Sequence, residues 1–71
     1  MKPLPFREVK RKLEAAGFTQ VSQSGNHTKF ARTTAEGTRT AVVPKHGQVA
    51  AGTLRSVLRQ AGLSESEFAS L

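Results

Sequence analysis

The 71-residue sequence has no cysteine, no aspartate, no tyrosine and no tryptophan, and each absence removes a class of chemistry. Without cysteine there are no disulfide staples and no thiolate metal sites. Without aspartate a Ser-His-Asp triad cannot be assembled, and a carboxylate-rich two-metal site is poorly supplied. Four phenylalanines are the whole aromatic complement. Their spacing suits packing, which argues against a base-stacking platform for single strands. No apolar run approaches the roughly 20 residues of a membrane-spanning helix. The opening residues also lack the apolar core of a secretion signal, so the expected setting is the cytoplasm, away from membranes.

What is present is positive charge. Eleven Lys and Arg face five acidic residues, all Glu, for a net charge of +6. Every basic residue precedes Gln60, whereas Glu65 and Glu67 sit in the tail. Such a bias is the footprint of a polyanion binder, although solubility alone is a plainer reading of the same numbers. The length sets a single domain, residues 1–71, that buries only about 60% of its unfolded surface. A bound partner would add to its stability.

Helical and strand periods alternate along the chain. Phe6, Val9, Leu13 and Ala16 form an apolar stripe that predicts a first helix over about residues 5–16, with Pro5 as its first residue and Gly17 as its C-terminal cap. Phe18 to Gln23 reads as a strand, Ser24-Gly25-Asn26 as a turn, and His27 to Arg32 as a second strand anchored by Phe30. Thr33 to Gly37 is a hairpin loop, and Thr38 to Val43 a third strand stopped by Pro44. Lys45 to Ala51 reads as a loop. Leu54, Val57, Leu58 and Ala61 stripe a second helix with Thr53 as N-cap and Gly62 as its stop. Ser64 and Glu67 match a capping box that opens a short terminal helix. The order α-β-β-β-α predicts an α+β fold. Its simplest form is a three-stranded antiparallel sheet with both helices on one face, the arrangement of double-stranded-RNA-binding domains.

Few side chains are equipped for catalysis. Period-two alternation places His27 and Lys29 together on one strand face, with Thr28 and Phe30 on the other. A histidine transfers protons near neutral pH, which suits RNA cleavage by the neighbouring 2′-hydroxyl, and a lysine beside it neutralises charge developing on phosphorus. That chemistry calls for no metal and no cofactor. Taken alone, the same residues also describe an ordinary polar strand. His46, in the loop after the third strand, is a second histidine, but two histidines without Asp or Cys fall short of a usual ligand set. Arg55 and Arg59 repeat at i and i+4 on the second helix, as Arg7 and Arg11 do on the first. Like charges at that spacing weaken an isolated helix by about 0.2–0.5 kcal/mol, which suits a face that meets phosphate or an acidic protein.

Four segments in order give the chain a resemblance to a known family. They are the Phe6 to Phe18 helix ending in Ala16-Gly17-Phe18, and Ser24-Gly25-Asn26-His27-Thr28-Lys29-Phe30. Then follow Val42-Val43-Pro44-Lys45-His46-Gly47 and Gly52-Thr53-Leu54-Arg55-Ser56-Val57-Leu58-Arg59-Gln60-Ala61-Gly62-Leu63. Over almost its whole length the chain resembles the HicA toxins, the mRNA interferase half of HicA–HicB toxin–antitoxin pairs. The resemblance implies a double-stranded-RNA-binding-like fold and endoribonuclease activity on mRNA. It implies His27 as the catalytic residue and a HicB-like antitoxin that covers it. Many relatives carry two adjacent histidines after glycine and serine, whereas here Asn26 precedes His27 and Thr28 follows it. Any second-histidine role therefore passes to Lys29 or His46. RNA contacts are expected from Gly25, Asn26, Lys10, Arg11, Lys45, His46, Arg55 and Arg59. The toxin is expected to be a monomer when free and part of a hetero-oligomer with its antitoxin. The competing expectation from the same fold is a non-catalytic module that binds duplex RNA without cutting it, and a third is a basic face that serves only to bind an acidic protein.

Overall fold

Apolar stripes and strand alternation set the elements of the chain. The structure is a computed structural model and describes residues 1–45 and 47–71. In chain order the elements are β1 (Leu4–Pro5), α1 (Phe6–Ala15), β2 (Thr19–Ser24), β3 (His27–Thr34), β4 (Gly37–Pro44), β5 (Gln48–Val49), α2 (Ala51–Ala61) and α3 (Glu65–Ala69). His46, the second histidine of the sequence reading, lies outside the described residues.

Strands β2, β3 and β4 make an antiparallel sheet in that order. β3 and β4 pair without a break from His27↔Pro44 to Thr34↔Gly37. Alternation then sends Thr28 and Phe30 of β3, with Ala41 and Val43 of β4, to one face, where all four are fully buried. Val9 and Leu13 of α1 and Leu54, Val57, Leu58 and Ala61 of α2 meet them in a single core that Phe18, Val49 and Phe68 complete. Each large apolar side chain buried this way contributes about 1.5–3 kcal/mol. Both helices thus cover one face of a three-stranded sheet, the α+β arrangement that the pattern predicts, and the other face is open. β2 is exposed along its whole length, and its register breaks between Gln20 and Ser22. A bulge of this kind twists an edge strand away from unwanted pairing.

Both main helices end as their glycines predict. Gly17 takes φ 95°, and the Phe18 N–H reaches back to the Leu13 carbonyl at 3.0 Å. Gly62 takes φ 72°, and the Leu63 N–H reaches the Leu58 carbonyl at 3.0 Å. These are the 6→1 bonds of the Schellman motif. The Ser64–Glu67 capping box forms in both directions, at 2.8 and 3.0 Å.

Four expectations need correction. The segment after Lys45 is not all loop, because Gln48–Val49 pairs with Leu4–Pro5 in a second, two-stranded sheet. That pairing fixes Ala50 in extended backbone, φ −63° and ψ 153°, so α2 starts at Ala51 with no side-chain cap. Thr53, expected as N-cap, instead lies inside the first turn. Pro5 is likewise the residue before α1, held extended by its pairing with Gln48, and not the first helical residue. The hairpin loop between β3 and β4 shortens to Ala35 and Glu36, because pairing continues to Thr34↔Gly37. Among the described residues no helix is long and apolar enough to cross a membrane.

Candidate functional site

The Ser24↔His27 pair closes a two-residue turn made of Gly25 and Asn26. Gly25 takes φ 57° and Asn26 does not have positive φ, the combination of a type II′ hairpin turn. A Cβ added at Gly25 would touch nothing, so backbone conformation and not crowding selects glycine there. The Lys45 N–H donates to the Asn26 carbonyl. This bond ties the β2–β3 turn to the chain leaving β4, so Gly25, Asn26, His27 and Lys45 share one end of the sheet.

His27 opens β3 on the open face, flanked across the strands by Ser24 and Pro44. Lys29 follows on the same face, flanked by Ser22 and Val42. Both side chains are exposed, while Thr28 and Phe30 between and beyond them are buried. The inward pair anchors the strand and holds the outward pair in fixed order, about 7 Å apart along the strand. None of the residues that β3 and β4 turn outward is acidic, so no carboxylate on these strands competes for Lys29. Val42 is braced from the helix layer, its N–H donating to Gln60 Oε1 at 3.0 Å. The arrangement presents a proton-transfer group and a cation on an open polar surface with a rigid back. Ser22, Ser24 and Pro44 are not among the site residues expected from the sequence. A two-residue turn at Gly25-Asn26 does imply Ser24 opposite His27, so that neighbour was legible.

The other expected RNA contacts are distributed differently. Arg55 and Arg59 are exposed on α2, in the layer behind the sheet from His27. Lys10 and Arg11 lie on α1 in the same layer. The Arg11 guanidinium is already engaged, with Nε donating to Glu8 Oε1 at 3.0 Å and Nη2 approaching the Leu71 carbonyl at 3.4 Å. Its hydrogen bonds hold the Glu8 carboxyl below its ordinary value. Lys12, not among the expected contacts, donates to the Phe68 and Leu71 carbonyls at 3.0 and 3.2 Å and fastens the chain end to α1. A cavity of about 350 Å³ lies at the far end of the sheet, beneath the β3–β4 turn, and none of its lining is shared with His27.

Comparison with known proteins agrees with the four-segment resemblance. A family model described as the HicA toxin of bacterial toxin-antitoxin systems matches residues 6–63, which takes in α1, the whole three-stranded sheet and α2. A search of the curated proteins finds no match. The matched span is most of the chain and includes the Gly25–Asn26 turn, His27 and Lys29. The chain belongs to the HicA family of toxins of bacterial toxin–antitoxin systems.

Proposed function

We propose that this toxin is an endoribonuclease that cleaves mRNA, with His27 as its proton-transfer residue and Lys29 as the adjacent cation. The observation that carries the reading is their shared exposure on the open sheet face, beside a tight turn that leaves the approach unobstructed. In the reaction the RNA 2′-oxygen attacks the neighbouring phosphorus. The new O–P bond forms as the bond to the 5′-oxygen breaks. One proton leaves the 2′-hydroxyl and one reaches the departing oxygen, and His27 performs one of these two transfers. Lys29 faces the non-bridging oxygens, whose charge grows in the transition state. Gly25 and Asn26 lie under the RNA backbone, and Lys45, His46, Lys10, Arg11, Arg55 and Arg59 supply contacts to phosphates. The scheme uses no metal and no cofactor. A HicB-like antitoxin, complementary in charge to a +6 chain, silences the toxin by covering the open face. The free toxin is a monomer of the cytoplasm.

The test is incubation of labelled mRNA in EDTA with wild-type and His27→Ala protein. Proton-transfer residues contribute about 10²–10⁴-fold, so cleavage should fall by at least about 10². Because His27 is exposed, the melting curve should barely move. Equal cleavage by both proteins removes His27 from the mechanism. RNA retained but left uncut by the wild type identifies instead a binding module of the same fold.

A further inference from the structure

Arg32 of β3 and Arg39 of β4 are direct cross-strand partners. They share the helix-side face, beyond the edge of the core, at the end of the sheet opposite His27. Like charges set directly across an antiparallel pair repel each other. The nearby carboxylates do not relieve this: Glu36 lines the same cavity and Glu67 lies within electrostatic reach of Arg32. Among the described residues neither forms an ion pair with either guanidinium.

Each arginine has a structural engagement that leaves donors over. Arg32 Nη1 donates to the Ala16 carbonyl at the end of α1 at 2.9 Å, and its guanidinium lies 5.0 Å from the centre of the Phe18 ring. Its Nε is buried without a partner, and its Nη2 makes no hydrogen bond among the described residues. The Arg39 side chain lies over Gly62, where an added Cβ would stand 2.6 Å from its guanidinium carbon. Glycine there therefore leaves room for that guanidinium. Together with Thr34, Thr38 and Gly37 the two arginines line the cavity of about 350 Å³ beneath the hairpin. That volume falls within the range of small-ligand pockets.

We propose that the Arg32–Arg39 cavity is a binding site for a phosphate group, separate from the His27 face. A phosphate between the two guanidiniums converts their repulsion into a bridge, and the arginine fork matches phosphate oxygens in pairs. Thr34 and Gly37, paired across the strands next to the two arginines, close the hairpin end of the cavity. The phosphate is either free in solution or part of a polynucleotide. The site does not depend on His27 or on cleavage.

The test follows the arginine Nε–H resonances of the full-length protein by NMR during titration with inorganic phosphate, against chloride at matched ionic strength. The Arg32 and Arg39 signals should shift saturably with phosphate and not with chloride. Arg39→Gln should weaken apparent affinity by about tenfold or more, the scale of a lost charge-assisted hydrogen bond. Arg39→Lys, which keeps the charge and most of the stem, should fall between, and guards against a fold defect in the glutamine variant. Arg7→Gln, which removes a charge away from the cavity, should change the affinity by less than about twofold, as a distant exposed charge is screened. A second titration uses a short oligoribonucleotide and His27→Ala protein. If it saturates the same two signals at lower concentration than inorganic phosphate, the group recognised belongs to a nucleic-acid backbone. If only inorganic phosphate does so, the site serves a free anion. Absence of any saturable shift at Arg32 and Arg39, or an equal response to chloride, overturns the proposal.

Discussion

Thr28 separates the two candidate catalytic side chains and is itself fully buried, with Oγ1 lacking any hydrogen-bond partner among the described residues. A buried hydroxyl without a partner carries a desolvation cost of about 1–3 kcal/mol that an isosteric methyl does not. Thr28→Val keeps the β-branched shape that suits a strand paired with Gln23 and Val43. The expected outcome is a stability gain of about 1 kcal/mol in urea unfolding. RNA cleavage should be unchanged, since His27 and Lys29 point to the opposite face. A loss of stability would mean that the hydroxyl has found a partner, such as an ordered water. Sequence alternation alone sends Thr28 inward, because its neighbours at i−1 and i+1 are charged or polar. Whether a hydroxyl finds an acceptor there depends on which backbone groups the helices bring overhead, and no local pattern records that.

At the scale of elements, the parts that follow a local code were legible and the parts that depend on distant pairing were not. The apolar stripes of α1 and α2, the glycine stops at Gly17 and Gly62 and the capping box at Ser64 each need only a few consecutive residues. The β1–β5 pair is two residues on each strand, too short to show a period, and its partners lie more than forty positions apart. Because that pairing sets Ala50, it also moved the start of α2 away from Thr53. The capping box carries a pH dependence of its own. The Ser64 backbone N–H donating to Glu67, with the Ser64 hydroxyl and then Arg32 as smaller influences, holds the Glu67 carboxyl below its ordinary value of 4.5. A carboxyl lowered in the folded state stabilises the fold above its unfolded value, and the contribution is lost as pH falls through the folded one. Glu67→Gln retains an acceptor for the box but no charge. Its melting temperature should therefore lie below wild type at about pH 7, and the two should converge as the pH falls through the lowered folded-state value and Glu67 too becomes neutral. A gap that persists in acid would assign the effect to shape and not to charge.

For the whole molecule, two layers separate the basic residues expected to meet RNA. Lys29 and Lys45 belong to the sheet and its His27 end, while Arg55 and Arg59 lie on the solvent side of α2. Their charge is plain in the sequence, but their separation is a tertiary fact, set when α2 lays its apolar stripe on β4. β3 spans roughly 25 Å from end to end, by the rise of an extended strand. An oligoribonucleotide no longer than this strand can lie along it without reaching around to α2. Binding to single strands loses about 0.7 of salt-dependence slope for each phosphate contact removed. With His27→Ala protein to prevent cutting, the short oligomer should therefore show a slope smaller by about 1.4 when Lys29 and Lys45 are both changed to glutamine. Changing Arg55 and Arg59 should leave that slope alone. With long mRNA both double substitutions should lower it, because a long strand has phosphates to spare for the second layer. If instead the short oligomer depends on Arg55 and Arg59 and ignores Lys29 and Lys45, RNA docks on the helix layer, and His27 lies off its path.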